Sequence, residues 1–245
     1  MYRDRIFSIL LILTILTAFS GFVMADESNE ILESIVLESF DPETRTSEWI
    51  VRGSKFITEG FPRQTYASAW PTALHGVNRE GRDFQVLGIN ARFDRLGYNY
   101  LEIIPVKQDD NGNTVANPLQ IPGRAKSIDL WVWGSRFDYY IEVDVEDYTG
   151  VVWTLNLGNI NFTGWRNMRA EIPPYIPQSE VYIPTLKTLR LVKVRLWTRP
   201  YERVANFFVY FDQIKVLTDT YESYFDGDSL TWPDKVQEIW GSTAQ

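Results

Sequence analysis

The segment Tyr139-Tyr-Ile-Glu-Val-Asp-Val-Glu-Asp147 decides the fold class, because apolar and acidic residues alternate along it. Ile141, Val143 and Val145 carry the apolar side chains, and a period of two places all three on one face of a β-strand. The acidic side chains between them then lie on the opposite face. The pattern predicts a strand with one face in the protein core and the other in water.

Similar short segments flank this strand. Ile128-Asp-Leu-Trp-Val-Trp-Gly134 precedes it and Val151-Val-Trp-Thr-Leu-Asn-Leu-Gly158 follows it, each closed by a glycine. No helical period separates them. The other expected strands are Trp49–Arg52, Ser54–Thr58, Phe84–Phe93, Tyr98–Val106, Met168–Ile172, Leu189–Trp197 and Phe207–Leu217. This series predicts an all-β protein, an antiparallel β-sandwich of the jelly-roll type, in which the irregular segment from Pro173 to Pro184 crosses between sheets.

The first 25 residues have the features of an export signal. Arg3 and Arg5 form a basic start, an uncharged run follows, and Val23-Met-Ala25 places small residues ahead of Asp26. Cleavage is therefore expected between Ala25 and Asp26. The alternative is an uncleaved membrane anchor, since the uncharged run is almost long enough to span a bilayer. Polar residues within the run favour cleavage instead, and the mature protein would then have no stable membrane anchor.

Removal of the leader leaves residues 26–245, a length that suits one β-sandwich or barrel as well as two small domains. Nothing in the sequence requires two, so a single sandwich domain is expected over residues 26–218. The sequence has no cysteine, so an exported protein would depend on its hydrophobic core rather than on disulfides. The net charge is −8, and it becomes −9 without Arg3, Asp4 and Arg5 of the leader. This acidity argues against nucleic acid or an anionic membrane as a partner, because both attract basic surfaces.

Irregular arms are expected at both ends of the mature chain. Residues 26–37 are acidic with apolar residues at helix-like spacing, which leaves a short helix and an irregular arm both open. Residues 219–245 combine acidic and aromatic residues, including Trp232 and Trp240. That combination suits a docking element or a partly ordered tail.

Candidate catalytic groups are few. His75 is the single histidine, so a serine triad or a zinc site would rest on one imidazole, and it is interpreted as a turn residue. Glu142, Asp144 and Glu146 have the spacing of an inverting glycosidase pair, but three like charges on one strand face are more simply a solvated surface. The prediction is a protein that is not an enzyme and needs no cofactor or metal.

Two short motifs have plain interpretations as turns. Asp109-Asp-Asn-Gly-Asn113 lacks the glycine and glutamate positions of a calcium-binding EF-hand loop and predicts a hairpin turn. Asn161-Phe-Thr163 matches a glycosylation sequon and is interpreted as a turn of the sandwich. Calcium near Asp226-Gly-Asp228 stays open.

Aromatic residues are the remaining signal, with nine tryptophans in the chain. Trp131 and Trp133 are two apart and share one strand face, opposite Leu130 and Val132. That strand therefore offers large apolar surfaces to both sides. Either both faces are buried or one is an interface, and Trp133, which precedes Gly134, is interpreted as a core residue.

Several motifs resemble one protein family, the outer-layer or sheath proteins of spirochaete periplasmic flagellar filaments of the FlaA type. The likeness extends from about Val36 to Gly227. It is carried by Pro122-Gly-Arg124, Leu130-Trp-Val-Trp-Gly-Ser135, Asp147-Tyr-Thr-Gly-Val-Val152, Asn161-Phe-Thr-Gly-Trp-Arg-Asn-Met168, Pro173-Pro-Tyr-Ile-Pro-Gln178, Leu196-Trp-Thr-Arg-Pro200 and Val209-Tyr-Phe-Asp-Gln-Ile-Lys-Val-Leu-Thr218.

The resemblance implies a sandwich akin to galactose-binding or carbohydrate-module folds, and a structural role as a coat on the filament core that shapes filament curvature for motility. It implies core flagellin, other sheath proteins and further copies of the chain as partners in the periplasm. The alternatives are a periplasmic carbohydrate-binding or glycosidase-related module and, more weakly, a soluble periplasmic binding protein. The candidate interaction residues are Trp131, Glu142, Asp144, Glu146, Trp165, Trp197, Arg199, Trp232 and Trp240.

Overall fold

The computed structural model describes residues 30–78, 81–180, 186–221, 227–231 and 233–241. Thirteen strands, two short α-helices and one 3-10 turn are found in these ranges. The strands are β1 (Leu32–Glu38), β2 (Glu48–Gly53), β3 (Arg63–Ala67), β4 (Val86–Ala91), β5 (Tyr100–Gln108), β6 (Thr114–Ala116), β7 (Leu119–Gln120), β8 (Arg124–Ser135), β9 (Tyr140–Glu146), β10 (Val152–Asn159), β11 (Thr163–Glu171), β12 (Arg190–Trp197) and β13 (Phe207–Asp219). The helices are α1 (Thr72–His75) and α2 (Pro233–Trp240), and the 3-10 turn is Asp228–Thr231.

The strands form two sheets. Sheet A has the order β11-β8-β13-β4-β3, with β1 also paired to β13. Sheet B has the order β10-β9-β12-β5-β2, with β6 paired to β5 and β7 paired to β12. All pairings between the named strands are antiparallel. The predicted all-β antiparallel sandwich is confirmed.

The chain passes repeatedly from one sheet to the other, as in jelly-roll sandwiches. The β9–β10 hairpin lies in sheet B, β11 returns to sheet A, and β12 lies again in sheet B. Residues 173–180 of the predicted crossover lie on this path from β11 to β12, while residues 181–184 lie outside the described residues.

The core lies between the two sheets. Leu130 and Val132 of β8 point into it from sheet A, and Ile141 and Val143 of β9 point into it from sheet B. The ring of Phe207 also packs in the core, with its centroid 5.0 Å from that of Phe137 and 4.7 Å from that of Tyr139. Full burial of one such side chain contributes roughly 1.5–3 kcal/mol, so the two apolar strand faces account for the stacking of the sheets.

Local differences from the sequence predictions have identifiable causes. Leu32–Glu38 is a strand, neither helix nor irregular arm, because pairing with β13 satisfies its backbone and buries its last residues. The strand expected at Ser54–Thr58 is wrong, since this segment is a turn with a single bridge from Ile57 to Phe93. Strand β3 has the polar sequence Arg-Gln-Thr-Tyr-Ala and was not predicted, because only its pairing with β4 makes it a strand.

Candidate functional site

Sheet A carries partly exposed aromatic rings on the side that faces away from the core. Trp133 of β8 lies directly between Trp165 of β11 and Tyr210 of β13 in the strand register. Trp131 and Phe208 lie on the same side by alternation, and Phe208 is 40% exposed. We call these five residues the aromatic face. The rings of Trp133 and Tyr210 pack edge to face with centroids 5.5 Å apart.

Two glycines shape this region. At Gly88 of β4 a Cβ atom would lie 2.8 Å from Cε1 of Tyr210, so the missing side chain lets the tyrosine ring lie over the neighbouring strand. At Gly134 a Cβ atom would lie 2.6 Å from the carbonyl oxygen of Phe162. Gly134 therefore makes room on the inner side of β8, while Trp133 points outward. The interpretation of Trp133 as a core residue is wrong for this reason.

A buried carboxylate lies beside the aromatic face. Asp212 pairs with Trp131 in the register of β13 and β8, and its carboxylate accepts a hydrogen bond of 2.8 Å from the backbone N–H of Gln213. Burial, together with the negative charge of Asp41, raises the pKa of Asp212 to about 7. The indole Nε1 of Trp131 is buried and has no hydrogen-bond partner among the residues that the structure describes. This side of sheet A therefore holds polar groups in an apolar setting.

The outward side of sheet B has a different character. The acidic side chains of β9 face basic side chains of β12, and these face Glu102 of β5. Asp144 is almost fully buried and lies 3.0 Å from Nη2 of Arg195 and 3.9 Å from Nζ of Lys193. Glu102 lies 2.6 Å from Lys193 and 3.2 Å from Arg195. We call these residues, with Glu142, Glu146 and Arg190, the charged ladder.

The interpretation of Glu142, Asp144 and Glu146 as a solvated surface is therefore wrong in part. Asp144 is buried, and it also accepts a hydrogen bond of 2.8 Å from the hydroxyl of Thr154. Glu146 forms an ion pair of 2.9 Å with Arg190, and Glu142 accepts a hydrogen bond of 2.7 Å from Nε1 of Trp197. Sequence alternation could not show this, because the basic partners lie about fifty residues away along the chain.

Electrostatics explain why the ladder does not resemble a pair of catalytic carboxylates. Burial by itself would raise the pKa of Glu102, but hydrogen bonds and charge from Lys193 and Arg195 outweigh it and lower that pKa. An acid catalyst of a glycosidase needs a carboxyl group that stays protonated. Glu102 instead has two cationic neighbours, which favour its charged form.

Two of the predicted interaction residues lie at one end of the ladder. Trp197 stacks on Tyr140 with centroids 6.4 Å apart and contacts Tyr100 edge-on at 5.2 Å. Arg199 lies over the Tyr140 ring at 5.1 Å, and its Nε lies 3.5 Å from Asp138. Both side chains are partly buried and take part in contacts within the sandwich.

His75 lies in a separate cavity of about 430 Å³ at the end of β1. It is the last residue of α1 and stacks on Phe84 with centroids 4.0 Å apart. Burial lowers the pKa of His75 and raises that of Asp41, which lines the same cavity. Within the described residues no group of three or more histidine, cysteine or acidic side chains is arranged to hold a metal ion. The cavity wall therefore mixes acidic, basic and apolar groups around His75.

The remaining predicted residues lie near the chain ends. Trp240 is 69% exposed on α2, which replaces part of the irregular arm expected there. Trp232, Ala25, Asp26 and residue 226 of the possible calcium loop lie outside the described residues. The structure thus places Trp131 and Trp165 on sheet A and Glu142, Asp144, Glu146 and Trp197 on sheet B, on opposite sides of the sandwich. Arg199 follows the end of β12.

Sequence reasoning missed three members of the aromatic face. Trp133 was assigned to the core, and Phe208 and Tyr210 were not singled out. In β13 the residues Phe207, Val209 and Phe211 alternate with Phe208 and Tyr210, so that both faces are apolar. Such a two-sided apolar pattern was a usable signal, since a strand of a two-layer sandwich needs only one apolar face.

Among the described residues, none of the helices has the length and apolar character needed to cross a membrane.

Comparisons with known proteins point to one family. Residues 40–226 match the family described as flagellar filament outer layer protein FlaA. A flagellar filament outer layer-like protein of Brachyspira hyodysenteriae is 25% identical over 206 residues, which cover 74% of this chain and 91% of that protein.

Solved structures are similar at the level of the sandwich. One, from work on carbohydrate-binding modules of the β-sandwich superfamily, has a TM-score of 0.46 and 11% identity, covering 74% of this chain and 61% of that one. A family 11 carbohydrate-binding module of a Clostridium thermocellum cellulase has a TM-score of 0.42 and 10% identity, covering 80% of this chain and 99% of that one. Likenesses of this size carry no argument about ligands.

Proposed function

Because the chain belongs to the flagellar filament outer layer protein family, we propose that it is a structural component of the sheath of the periplasmic flagellar filament. In this role it coats the flagellin core and shapes filament curvature for motility. It reaches the periplasm by an export leader that is cleaved between Ala25 and Asp26. It performs no catalysis, and its partners are core flagellin, other sheath proteins and further copies of itself.

The observation that carries this proposal within the structure is the aromatic face. Five large rings lie on three adjacent strands, partly open to water, on the side of sheet A that faces away from the core. The buried centres of protein interfaces are rich in tryptophan, tyrosine and phenylalanine and poor in charge. The face fits that composition and supports a role in protein contacts.

The charged ladder supports the same assignment by contrast. Its charges are already paired within sheet B, and several of its side chains are shielded from solvent. A partner would have to replace these ion pairs with equally good ones to gain affinity there. The aromatic face has no such internal competition, so we assign filament attachment to sheet A.

Flagellar fractionation tests the role. Protein from wild-type cells should co-sediment with purified periplasmic filaments, and a Trp133→Ser, Trp165→Ser double variant should be found mainly in the soluble fraction. The matched control is Trp197→Ser, a partly buried tryptophan on sheet B, which should still co-sediment. Equal recovery of all three proteins with filaments would contradict the assignment of the aromatic face.

Cryo-electron tomography of a deletion strain tests the effect on filament shape. The flagellin core should still form, because the proposed role is to add lateral contacts to it. The filaments should be thinner or differently curved, and motility should be impaired, since contacts that favour one shape shift the equilibrium toward it. Filaments unchanged in both diameter and curvature would contradict the proposal.

A carbohydrate-binding module is the second candidate, because aromatic rings also stack on sugars. The edge-to-face arrangement of Trp133 and Tyr210, with an interplanar angle of 81°, is unlike a flat stacking platform and weighs against it. Retention on glycan resin that Trp133→Ser abolishes, without co-sedimentation with filaments, would favour this candidate.

A further inference from the structure

Strand β13 changes its neighbour along one edge. Its first five residues pair with β4 and its last six pair with β1, while β8 lies along the other edge. Asp212 and Gln213 lie between these two groups, and the register with β8 shifts at the same place. The cavity of about 430 Å³ lies at this junction, because Glu38 of β1, Phe84, which precedes β4, and Gln213 all line it. The cavity is thus a consequence of the topology of sheet A.

Two residues with left-handed backbone border the cavity. Gln213 has a φ of 36°, and Phe40, which lies between the wall residues Ser39 and Asp41, has a φ of 63°. This conformation is costly for a residue with a Cβ atom, and such strain persists chiefly at functional sites such as ligand clamps. At Gln213 it accompanies an approach of the side-chain Nε2 to 3.4 Å from Nε2 of His75. The chain therefore maintains strained backbone on two sides of one cavity.

The cavity wall is predominantly acidic. Apart from His75 its formal charge is −3, from four carboxylates and one guanidinium, that of Arg82. The carboxylates belong to Glu38, Asp41, Glu43 and Asp83. Neither Asp41 nor Glu43 forms an ion pair with another of the described residues. A wall with this excess of negative charge attracts cationic ligands.

The charged ladder of sheet B shows the opposite balance. There the cationic groups of Lys193 and Arg195 outweigh burial and lower the pKa of Glu102. In the cavity wall burial raises the pKa of Asp41, and the negative charges of neighbouring carboxylates add to that rise. A cation placed beside Asp41 therefore gains a favourable interaction that the ladder carboxylates already have within the protein.

One side of the cavity is aromatic. The ring of Phe84 stacks on His75 with centroids 4.0 Å apart, and Trp70 packs on the same phenylalanine at 5.8 Å. The guanidinium of Arg82 lies 5.5 Å from the centroid of the Phe84 ring, so this surface accepts a planar cation. Val36 adds an aliphatic group to the wall. A matching ligand thus has a cationic group for the carboxylates and an apolar stem for the rings.

We infer that the cavity binds an organic cation, a guanidinium or ammonium group on an apolar stem. The cationic group lies against Asp41 and Glu43, and the stem lies against Phe84. The cavity volume falls within the range of small-molecule sites, roughly 300–1,000 Å³. Two sources carry this chemistry, a free small molecule and a basic side chain of another protein. The inference goes beyond the proposed function and does not rest on it, since either source occupies the same cavity.

The single histidine of the chain provides a reporter, because His75 lies in the cavity wall. The NMR signals of its imidazole are followed while N-acetyl-arginine amide is added to the full-length exported protein. The uncharged analogue N-acetyl-citrulline amide is the control probe. The arginine probe should shift the His75 signals along a saturating curve with an apparent Kd of about 1 mM or lower, and the citrulline probe should bind about tenfold more weakly.

Substitutions in the wall test the charge requirement. Asp41→Asn should raise the Kd of the arginine probe by about tenfold, and Glu43→Gln by about two- to fivefold, because Glu43 is exposed. The amide oxygen in Asp41→Asn can still accept the backbone N–H of Gln85, so this variant should fold. Arg82→Gln should lower the Kd, since it removes a positive charge from the wall. Asp110→Asn, in the turn between β5 and β6, is the matched control and should leave the Kd unchanged.

Co-sedimentation with filaments distinguishes the two sources of the cation. If a basic side chain of a filament protein occupies the cavity, Asp41→Asn should lower recovery with filaments and an excess of the arginine probe should release the wild-type protein. If the ligand is a free small molecule, recovery should not change, although the probe still shifts the His75 signals. Either result retains the cavity as a site for an organic cation.

Three results would overturn the inference: His75 signals that do not move at tens of millimolar arginine probe, equal binding of the arginine and citrulline probes, or weaker binding of the arginine probe to Arg82→Gln. Near-ultraviolet circular dichroism checks that each variant is folded. These outcomes are separate from a failure of the proposed function. A protein that binds the arginine probe but never co-sediments with filaments would refute the sheath role alone.

Discussion

The outward sides of the two sheets are built from the same kind of alternating strand, but one is aromatic and the other is charged. On sheet A, β8 and β13 turn large aromatic rings outward and leave them partly exposed, with Phe208 the most exposed of them at 40%. On sheet B, β9 and β12 turn acidic and basic residues outward and pair them with one another. Sheet B satisfies its outer side chains internally, whereas sheet A presents apolar surface that an outside partner can cover.

This difference separates stability from recognition in a way that can be measured. Breaking the charged ladder should chiefly destabilise the fold, because a charge shielded from water loses its partner. Altering the aromatic face should chiefly weaken assembly, since partly exposed rings contribute less to folding than fully buried ones. Two substitutions should change the free energy of unfolding by several kcal/mol, and two others should change it by less.

Replacing Arg195 by methionine should lower the free energy of unfolding by about 3 kcal/mol. The change removes the 3.0 Å ion pair to buried Asp144 and the 3.2 Å pair to Glu102, and Lys193 lies 3.9 Å from Asp144. Urea denaturation at pH 7 measures the loss, and binding to filaments should persist in the folded variant. A loss below about 1 kcal/mol would mean that the ladder behaves as an ordinary exposed surface.

Replacing Asp212 by asparagine should stabilise the protein by about 4 kcal/mol at pH 8 and by less than about 1 kcal/mol at pH 4. The pKa of Asp212 is raised to about 7, chiefly by burial. Between the ordinary pKa of 3.8 and pH 7 the unfolded carboxyl ionises while the folded one keeps its proton, so the aspartate lowers stability as the pH rises. The amide does not ionise, and its oxygen can still accept the Gln213 N–H.

Denaturation of the Asp212→Asn variant and of wild type at pH 4, 6 and 8 measures this difference. Asp129→Asn is the matched control, because Asp129 lies on the same side of sheet A but has Lys215 3.8 Å away. The control should show no gain at high pH. A gain for Asp212→Asn that is equal at all three values would show that repacking, and not ionisation, is responsible.

The sequence predicts more of the fold than of the candidate site, because the strands follow from local patterns whereas the site depends on contacts between residues that are distant in sequence. Strict alternation in β9 depends on neighbouring residues alone, so it identifies the strand and its inner face directly. The strand β3 has no alternation, and its structure comes from pairing with β4. Local patterns therefore identify the strands whose inner faces are apolar and miss those that depend on a neighbour.

Local sequence patterns do not predict which side chains meet on each outer face. Asp144 and Arg195 are fifty-one residues apart in sequence and meet only because β9 and β12 are neighbours in sheet B. The row of Trp165, Trp133 and Tyr210 likewise requires the register of three strands from separate parts of the chain. A two-sided apolar strand such as β13 shows that an outer face is unusual, but register decides which rings lie together.

Replacing Trp133 by serine should lower the free energy of unfolding by roughly 1–2 kcal/mol, less than the loss of a fully buried tryptophan. The ring is partly buried, and one of its contacts is the edge-to-face pair with Tyr210. Recovery with filaments should nevertheless fall by about tenfold or more. A loss of stability above about 3 kcal/mol, with filament binding retained, would show that Trp133 acts as a core residue. The two outer faces would then not differ in their contributions to stability and binding.

Replacing Arg190 by methionine should have the smallest effect, below about 1 kcal/mol, and it sharpens the contrast within the ladder itself. Arg190 pairs with Glu146 at 2.9 Å, a shorter distance than that between Arg195 and Asp144, but the Arg190 side chain is 46% exposed. If distance decided the energy, Arg190→Met would cost at least as much as Arg195→Met. If burial decides it, solvent screens the Arg190 pair, and the small cost should shrink further when denaturation is repeated at 1 M salt. The free energy of unfolding could instead fall as much as in Arg195→Met and show no dependence on salt. That result would show that burial of the charges does not determine how much the ladder stabilises the fold.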